Sequence, residues 1–285
     1  MSRPMPLAAA LLLLASLPAA AADSTELSYE VRFTEEEMTL DGQANEKSWA
    51  LAPAIELTDR HYPGLTAIDS VSTRVKALWN DKGLMVLYHC LDADIQATVT
   101  ERDGRVYIDD TVELFLDPDM DGTNYLQVAV NPRSARRDLL IPEAGGRTST
   151  RIWDSGLLCA VTGERTVLDR SDRDEWWTVE MFLPWSGLGR KALELSWERD
   201  GVTYGVDARD VLGEQAVPPK AGDRWRANFN RFDQGRGEAK VITDDEGGQI
   251  GYKDGDVASG WGISPTSESF HEPEYWGVLE FVMEE

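Results

Sequence analysis

The stretch DDTVELFLDPDMDGTNYLQVAVN, residues 109–131, contains two runs in which apolar and polar side chains alternate. A period of two over such lengths predicts half-buried β-strands. Between the runs, the turn-forming residues DPDMDG (117–122) should reverse the chain and pair the strands antiparallel. One face of this hairpin is then aliphatic, and the other presents Glu113, Gln127 and Asn131. We predict that this polar face is a binding surface.

The same alternation recurs along the chain in TRVKALW (73–79), LMVLYHC (84–90), WWTVEMFL (176–183) and WRANFNRF (225–232). Roughly ten short strands with turn signals between them predict an all-β fold, an antiparallel, jelly-roll-like β-sandwich with long decorated loops. Residues 132–150 and 233–260 are expected to be exposed loops. Because the chain shows no internal repeat and no Pro/Ser-rich linker, we expect one domain at 38–285, preceded by a linker and first strand at 23–37.

The N-terminal segment 1–22 has one basic residue, an apolar run and small residues up to Ala22. This pattern predicts a signal peptide and a secreted or periplasmic protein, with no membrane attachment once the signal is removed. The formal net charge of −23 at pH 7 disfavours binding to nucleic acid. The two cysteines, Cys90 and Cys159, either form a disulfide in that oxidising compartment or remain two separate thiols.

The carboxylates of Asp109, Asp110 and Glu113 raise the question of glycoside cleavage, which needs two carboxyl groups flanking the bond, about 5 to 10 Å apart. No second region offers a matching carboxylate, and the motifs of serine hydrolases, P-loop proteins and Rossmann folds are absent from the sequence. These observations favour a protein without catalytic activity or an organic cofactor.

The acidic turn opens like a calcium-binding loop, with carboxylates at Asp117, Asp119 and Asp121. The position eleven residues after Asp117, where a closing Glu would be needed, is Val128, so a helix-flanked calcium hand is excluded. A looser calcium site and a plain solvated turn both remain open.

The aromatic residues divide into two groups. Four tryptophans in alternating or turn contexts are expected in the core, namely Trp49, Trp79, Trp177 and Trp276. By contrast, Trp261 follows a polar loop and Tyr107 precedes Asp109, so each could stack on the apolar face of a sugar or pack against its own loop.

Six motifs in order make the chain similar to the family 9 carbohydrate-binding modules: LDGxxxExxW from Leu40, the strand pair ending in LMVLYHCLD, DDTVELFLDPD, WTVEMFLPW, GDRWRANFNR, and FHEPEYWGVLEF near the C-terminus. The resemblance spans about residues 38–283. It implies a β-sandwich that binds the ends of glucan or xylan chains, often beside a glycoside hydrolase, with calcium as a structural ion.

By position, the resemblance implies a sugar-binding carboxylate at Glu113 and a stacking ring at Trp261. The companion stacking position falls at Tyr107, and the family's binding arginine falls at Ala129. Asn228 and Asn230 match a strand that carries amide contacts in the family.

We therefore expect a carbohydrate-binding module that holds a saccharide without cleaving it. Three different functions remain open beside this one. Relatives of this sandwich hold haem, for which His89 and Met181 would be the ligands to consider. The chain could also be a glycoside hydrolase or lyase, or an envelope-associated structural module that has lost sugar binding.

Overall fold

The hairpin predicted at residues 109–131 is present and lies in one half of a large β-sheet. Its strands pair antiparallel, with Leu114 opposite Val128. The aliphatic residues at 112, 114, 116, 126, 128 and 130 all lie in one buried apolar cluster. The hairpin prediction is confirmed, and burial of its aliphatic face fixes which face turns outward, because a slip of one residue would reverse every side chain.

The computed structural model describes residues 26–61, 72–145, 149–169, 171–234, 239–243, 249–253, 257–264 and 269–283, and the expected signal peptide lies outside them. The strands are β1 Ser28–Phe33, β2 Ile55–Glu56, β3 Thr58–His61, β4 Thr73–Trp79, β5 Gly83–Leu91, β6 Thr111–Asp117, β7 Tyr125–Val130, β8 Arg136–Ile141, β9 Leu158–Glu164, β10 Trp176–Pro184, β11 Leu195–Arg199, β12 Val202–Val206, β13 Arg224–Asp233, β14 Ala239–Thr243, β15 Gln249–Lys253, β16 Val257–Gly260 and β17 Gly277–Val282. The α-helices are α1 Lys47–Leu51, α2 Trp185–Leu188 and α3 Ala208–Leu212, and single 3₁₀ turns occupy Val106–Ile108, Arg190–Leu193 and Pro273–Tyr275. Within these ranges, no helix has the length and apolar character needed to cross a bilayer.

The main sheet runs in the order β8-β7-β6-β13-β17-β1-β4-β5-β10-β9, with β2, β3 and β16 attached beside it. All of its pairings are antiparallel except those of β1, which lies parallel to both β17 and β4. The sheet curls so that its two halves face each other. The Tyr88 hydroxyl on β5 donates to the Glu113 carbonyl oxygen on β6 at 2.6 Å, and the Tyr88 and Phe229 rings meet edge to face. The result is the expected all-β sandwich.

Apolar clusters lie both between the two halves and on their outer faces. The four tryptophans predicted to be core, Trp49, Trp79, Trp177 and Trp276, are all buried, which confirms that prediction. A second cluster around Phe115, Tyr125, Phe270 and Trp276 covers part of the outer face of β6 and β7. A third cluster around Trp49 and Met85 covers part of the opposite outer face.

Two segments expected to be loops contain strands. Residues 136–141 form β8, which pairs with β7 along its whole length, and residues 239–260 contribute β14, β15 and β16. In β8 the alternation was obscured because both faces begin with an arginine, Arg136 and Arg137. Pairing with β7 makes it a strand, since tertiary contacts override weak local propensity.

The structure rules out a disulfide between Cys90 and Cys159, and both thiols are free. The two cysteines lie on β5 and β9, which flank β10 on opposite sides. Cys90 pairs with Trp177 of β10, and Cys159 pairs with Met181. Across the sheet, the two cysteines are separated by two strand spacings of about 4.8 Å each, and along the strands by four residues of about 3.3 Å each. A disulfide needs Cα atoms within about 7 Å of each other.

Candidate functional site

Five residues in register form a row across five neighbouring strands, which we call the outer-face row. It runs from Arg137 on β8 through Ala129, Glu113 and Asn230 to Gly260 on β16. The residues that alternate with Glu113 and Asn230 belong to the core between the two halves, so the row faces outward. Ala129 and Gly260 are the small residues of the row, and the side chains of Phe270 and Ile263 occupy the space beside Gly260.

Glu113 is the carboxyl group at the centre of the outer-face row. It is buried, and the Gln127 side-chain amide donates to its Oε1 at 2.9 Å. Burial raises the pKa of Glu113 to about 7, because loss of hydration penalises the charged form more than Arg137 and Gln127 favour it. This carboxyl group can therefore accept or donate a proton in a hydrogen bond near neutral pH.

Asn230 lies beside Glu113 with its hydrogen-bonding capacity unused. Its side chain is fully buried, and among the described residues neither Oδ1 nor Nδ2 has a partner. The Oε1 atom of Gln127 is likewise unpartnered within the described ranges. Buried amide atoms almost always find partners, and each that does not costs about 1 to 3 kcal/mol. The row thus offers donors and acceptors that a polar ligand would satisfy.

Tyr107 and Arg137 stand together at the other end of the row. The Arg137 guanidinium lies over the Tyr107 ring, 5.0 Å from its centroid. Sequence reasoning missed Arg137, because residues 132–150 were interpreted as a loop. The available signal was the alternation of Arg137, Leu139 and Ile141 against Arg136, Asp138 and Leu140. Where the resemblance placed an arginine at Ala129, the neighbouring strand supplies one directly opposite.

Two of the predicted amide contacts are used inside the protein. Asn228 Nδ2 donates to the Gly262 carbonyl oxygen and its Oδ1 accepts from the Gly262 amide, both at 2.8 Å. Asn131 donates to the Val99 carbonyl oxygen and to Asp109, and accepts from two backbone amides at Arg133 and Ala135. In these contacts both asparagines hold loops in place.

Trp261 does not share a surface with Glu113. Its ring packs against Phe229 with the centroids 5.6 Å apart, and it fills the space over Gly277. Phe229 faces the core between the two halves, whereas its neighbour Asn230 belongs to the outer-face row. The structure thus places Trp261 on the core side of β13, and it does not bring this ring opposite Glu113.

The carboxylates next to Glu113 in sequence have structural partners. Asp109 accepts from the backbone amides of Thr98 and Val99, and Asp110 accepts from those of Gln96 and Gln234. Burial raises the pKa of Asp110 well above its ordinary value, with further contributions from Asp92 and Asp233. In this arrangement both residues fix surrounding loops.

An arginine neutralises the acidic cluster around Asp110. The buried Arg231 donates to Asp92 at 2.8 Å and to Asp233 at 2.6 Å. One oxygen of each of Asp92, Asp110 and Asp233 lies within 4.8 Å of the others. The guanidinium already supplies a cation there, so we interpret this cluster as an internal ion-pair network.

The acidic turn between β6 and β7 brings its three carboxylates together as expected. One oxygen each of Asp117, Asp119 and Asp121 lies within 4.8 Å of the others. Asp117 Oδ2 accepts from the Gly122 amide, and its Oδ1 has no partner among the residues described. Burial, with a further contribution from Asp119, raises the pKa of Asp117 to about 7, although the Arg226 guanidinium lies 3.3 Å from its Oδ2 and opposes this shift. Three clustered oxygens and one unused acceptor fit a hard divalent cation.

His89 and Met181 cannot ligate one haem, since they lie on opposite faces of their sheet. Met181 belongs to the core between the halves, whereas His89 pairs with Thr178 of β10 and stacks on Trp176 on the other face.

A cavity of about 630 Å³ opens on the outer face of the sandwich opposite to the outer-face row. It is lined by side chains that include Met38, Met85, Leu158 and Phe182. None of the residues predicted from sequence to bind a sugar or calcium lines it, so its size alone does not identify the functional site.

Comparison with known proteins points to saccharides. A family model described as carbohydrate family 9 binding domain-like matches residues 40–208. A crystal structure of a candidate carbohydrate-binding protein from Bacteroides uniformis ATCC 8492 has a TM-score of 0.56 and 14% identity, over 90% of this chain and 100% of that one. Two structures of a family 9 carbohydrate-binding module from Caldicellulosiruptor kristjanssonii each cover 90% of this chain with a TM-score of 0.48. The cellotriose complex is 12% identical over 95% of its chain, and the glucose complex is 14% identical over 97%. No curated protein matches the chain.

Proposed function

Because the chain belongs to the carbohydrate family 9 binding domain-like family, we propose that it binds a saccharide, without cleaving it, on the outer-face row. The single observation that carries this proposal is the set of unpartnered amide atoms of Asn230 and Gln127 beside Glu113. Sugar hydroxyls both donate and accept hydrogen bonds, so they satisfy a carboxyl group and two amides together. Unpaired buried amide atoms raise the free energy of the unbound protein, and hydrogen bonds to the sugar remove this penalty on binding.

Each residue of the row has a role that follows from its chemistry. Glu113 and the free Oε1 of Gln127 accept hydrogen bonds from sugar hydroxyls, while Asn230 both donates and accepts. Tyr107 supplies an aromatic edge beside the row, with one ring face covered by Arg137. Asn228 holds the backbone at Gly262, and Phe270 and Ile263 pack next to Asn230 where Gly260 has no side chain. Entry of a sugar displaces these two apolar side chains.

Calcium is the structural ion that we propose for the turn of Asp117, Asp119 and Asp121. The clustered oxygens and the unpartnered Asp117 Oδ1 support it. The ion would tie together the ends of β6 and β7 and so hold the strand that carries Glu113.

We also propose that the protein is exported from the cytoplasm. Residues 1–22 have the pattern of a signal peptide. Sequencing the N-terminus of the mature protein tests it: a first residue near position 23 is expected, and an intact Met1 contradicts export by this signal.

Isothermal titration calorimetry with glucose, cellobiose, xylo-oligosaccharides and a uronic acid glycoside tests sugar binding. Asn230→Ala and Gln127→Ala should weaken binding about tenfold or more, because each removes a hydrogen-bonding group from the row. The matched control is Gln43→Ala, which removes an exposed amide next to the other outer face. Binding to none of these sugars would contradict the proposal and favour a structural module, and binding untouched by the row variants would contradict the site.

A further inference from the structure

Two arginines, Arg137 and Arg151, lie near each other at one end of the outer-face row, in a chain whose overall charge is −23. The segment 132–151 contains five arginines against one Asp and one Glu. Two of these arginines, Arg137 and Arg151, lie close enough for the charge of Arg151 to lower the pKa of Arg137, after burial as the main cause. This cationic spot is unusual on so acidic a protein.

One edge of the Arg137 guanidinium carries an unused hydrogen-bond donor. Its guanidinium is held over the Tyr107 ring, and its Nε atom is enclosed and has no partner among the described residues. Nε and its neighbouring amino group form the edge of the guanidinium that binds a carboxylate with two parallel hydrogen bonds.

The carboxyl group that acts on Arg137 compensates its charge only in part. Glu113 is the nearby carboxyl group, and its pKa is raised to about 7, so near neutral pH it carries only part of a negative charge. Arg151 is exposed and donates to the backbone carbonyl oxygen of Asp103 at 3.0 Å. An anionic group on the ligand would supply the missing charge.

We infer that the saccharide held on the outer-face row carries a carboxylate, as a uronic acid does, and that Arg137 binds this carboxylate with Arg151 adding a second positive charge. The inference rests on the proposed function, since Glu113, Gln127 and Asn230 still bind the hydroxyls. Salt screens repulsion by the acidic surface beyond about 8 to 10 Å, so a polyanion that runs along this surface within that distance is repelled. A single carboxylate in direct contact with Arg137 meets fewer of these charges. The ligand is therefore a sparsely charged saccharide and not a dense polyanion.

The test compares two ligands that differ only at C6, methyl β-glucuronide and methyl β-glucoside, by calorimetry at pH 7.5. The wild-type protein should bind the glucuronide at least about tenfold more tightly than the glucoside, because only the glucuronide can form a charge-assisted bidentate pair with Arg137. Arg137→Gln and Arg151→Gln should each reduce this preference, and Arg137→Lys should restore only part of it, because lysine keeps the charge but loses the planar fork. Arg209→Gln is the matched control, since Arg209 is exposed on α3.

The outcomes separate the two proposals. Equal binding of both glycosides overturns this inference and leaves the proposed function standing, whereas binding of neither, together with none to the neutral oligosaccharides, overturns both. A preference that survives in both glutamine variants also overturns the role of the arginines. Thermal melting of each variant shows whether it is folded, and if Arg137→Gln does not fold, the exposed Arg151→Gln decides.

Discussion

Asn230 lies directly opposite Glu113 on the neighbouring strand, and both side chains are buried on the outer face of the sandwich. The amide of Asn230 has no partner among the described residues, while Glu113 has Gln127. A β-sheet fixes this pair at about 4.5 to 5.5 Å between Cβ atoms. A sugar hydroxyl that reaches Glu113 can therefore reach the Asn230 amide as well.

Replacement of Asn230 should separate binding from stability. Asn230→Ala removes two amide atoms that stabilise nothing in the free protein, so we expect the free energy of unfolding to change by no more than about 1 kcal/mol while sugar affinity falls. Urea denaturation and calorimetry on the same preparation measure both. A loss of several kcal/mol would show that Asn230 has a structural partner instead.

Glu113 should make the protein less stable as the pH rises. The pKa of Glu113 in the folded protein is about 7, above the ordinary value of 4.5. The contribution of its protonated form to the free energy of unfolding is therefore fully present below pH 4.5 and is lost as the pH rises through 7. Glu113→Gln has no such titration, and at pH 8 we expect it to be more stable than the wild type by up to about 3 kcal/mol. Urea denaturation of both proteins from pH 4.5 to 8.5 is the measurement, and parallel curves would contradict the prediction.

Calcium should raise the melting temperature. Burial is the main cause of the raised pKa of Asp117, and a calcium ion bound at Asp117, Asp119 and Asp121 would compensate the charge of its carboxylate. We therefore expect Tm to rise with added calcium and to fall when EGTA is present. The double variant Asp119→Asn and Asp121→Asn should lose this response. The matched control, Asp169→Asn and Asp172→Asn, changes two acidic residues of another loop. If the Tm of the wild-type protein does not change with calcium, the proposed calcium site is contradicted.

His271 should make the protein sensitive to acid. Loss of hydration lowers its pKa to about 4, below the ordinary 6.5, while its Nδ1 pairs with the Tyr125 hydroxyl at 2.9 Å. The contribution of neutral His271 to the free energy of unfolding is fully present above pH 6.5. It is lost as the pH falls from 6.5 through 4, by at most about 3 kcal/mol. In a background of Glu113→Gln, the variant His271→Gln should flatten the stability curve between pH 4 and 6.5. An unchanged slope would show that other groups control acid unfolding.

The two cysteines should stay reduced. Burial raises the pKa of Cys90 to about 12, so its thiol remains protonated and unreactive in the folded protein. Ellman titration should therefore detect two thiols after denaturation without reductant, and fewer in the native state. Fewer than two thiols in the denatured sample would indicate a disulfide that the strand order forbids.

The positions along the chain of the strands with strong alternation could be predicted from the sequence, and so could which of their faces is buried. In residues 109–131 the period of two decides which side chains enter the core, because only one assignment of faces buries all the aliphatic residues. The same pattern placed Glu113 and Gln127 on the polar face, and the spacing of the acidic turn placed three carboxylates together. These relationships are local, so neighbouring residues determine them.

Only the tertiary structure decided which distant residues meet. Arg137 reaches the site because β8 adds to the edge of the sheet, and Cys90 and Cys159 are kept apart because β10 inserts between their strands. Trp261 follows directly after Gly260 of the outer-face row and packs on the core-facing Phe229. Such pairings join residues far apart in sequence, and their register depends on burial and backbone hydrogen bonds along whole strands. The sequence thus determined the sandwich and the central carboxyl group Glu113, whereas the strand order determined the arginine and the amide that stand beside it.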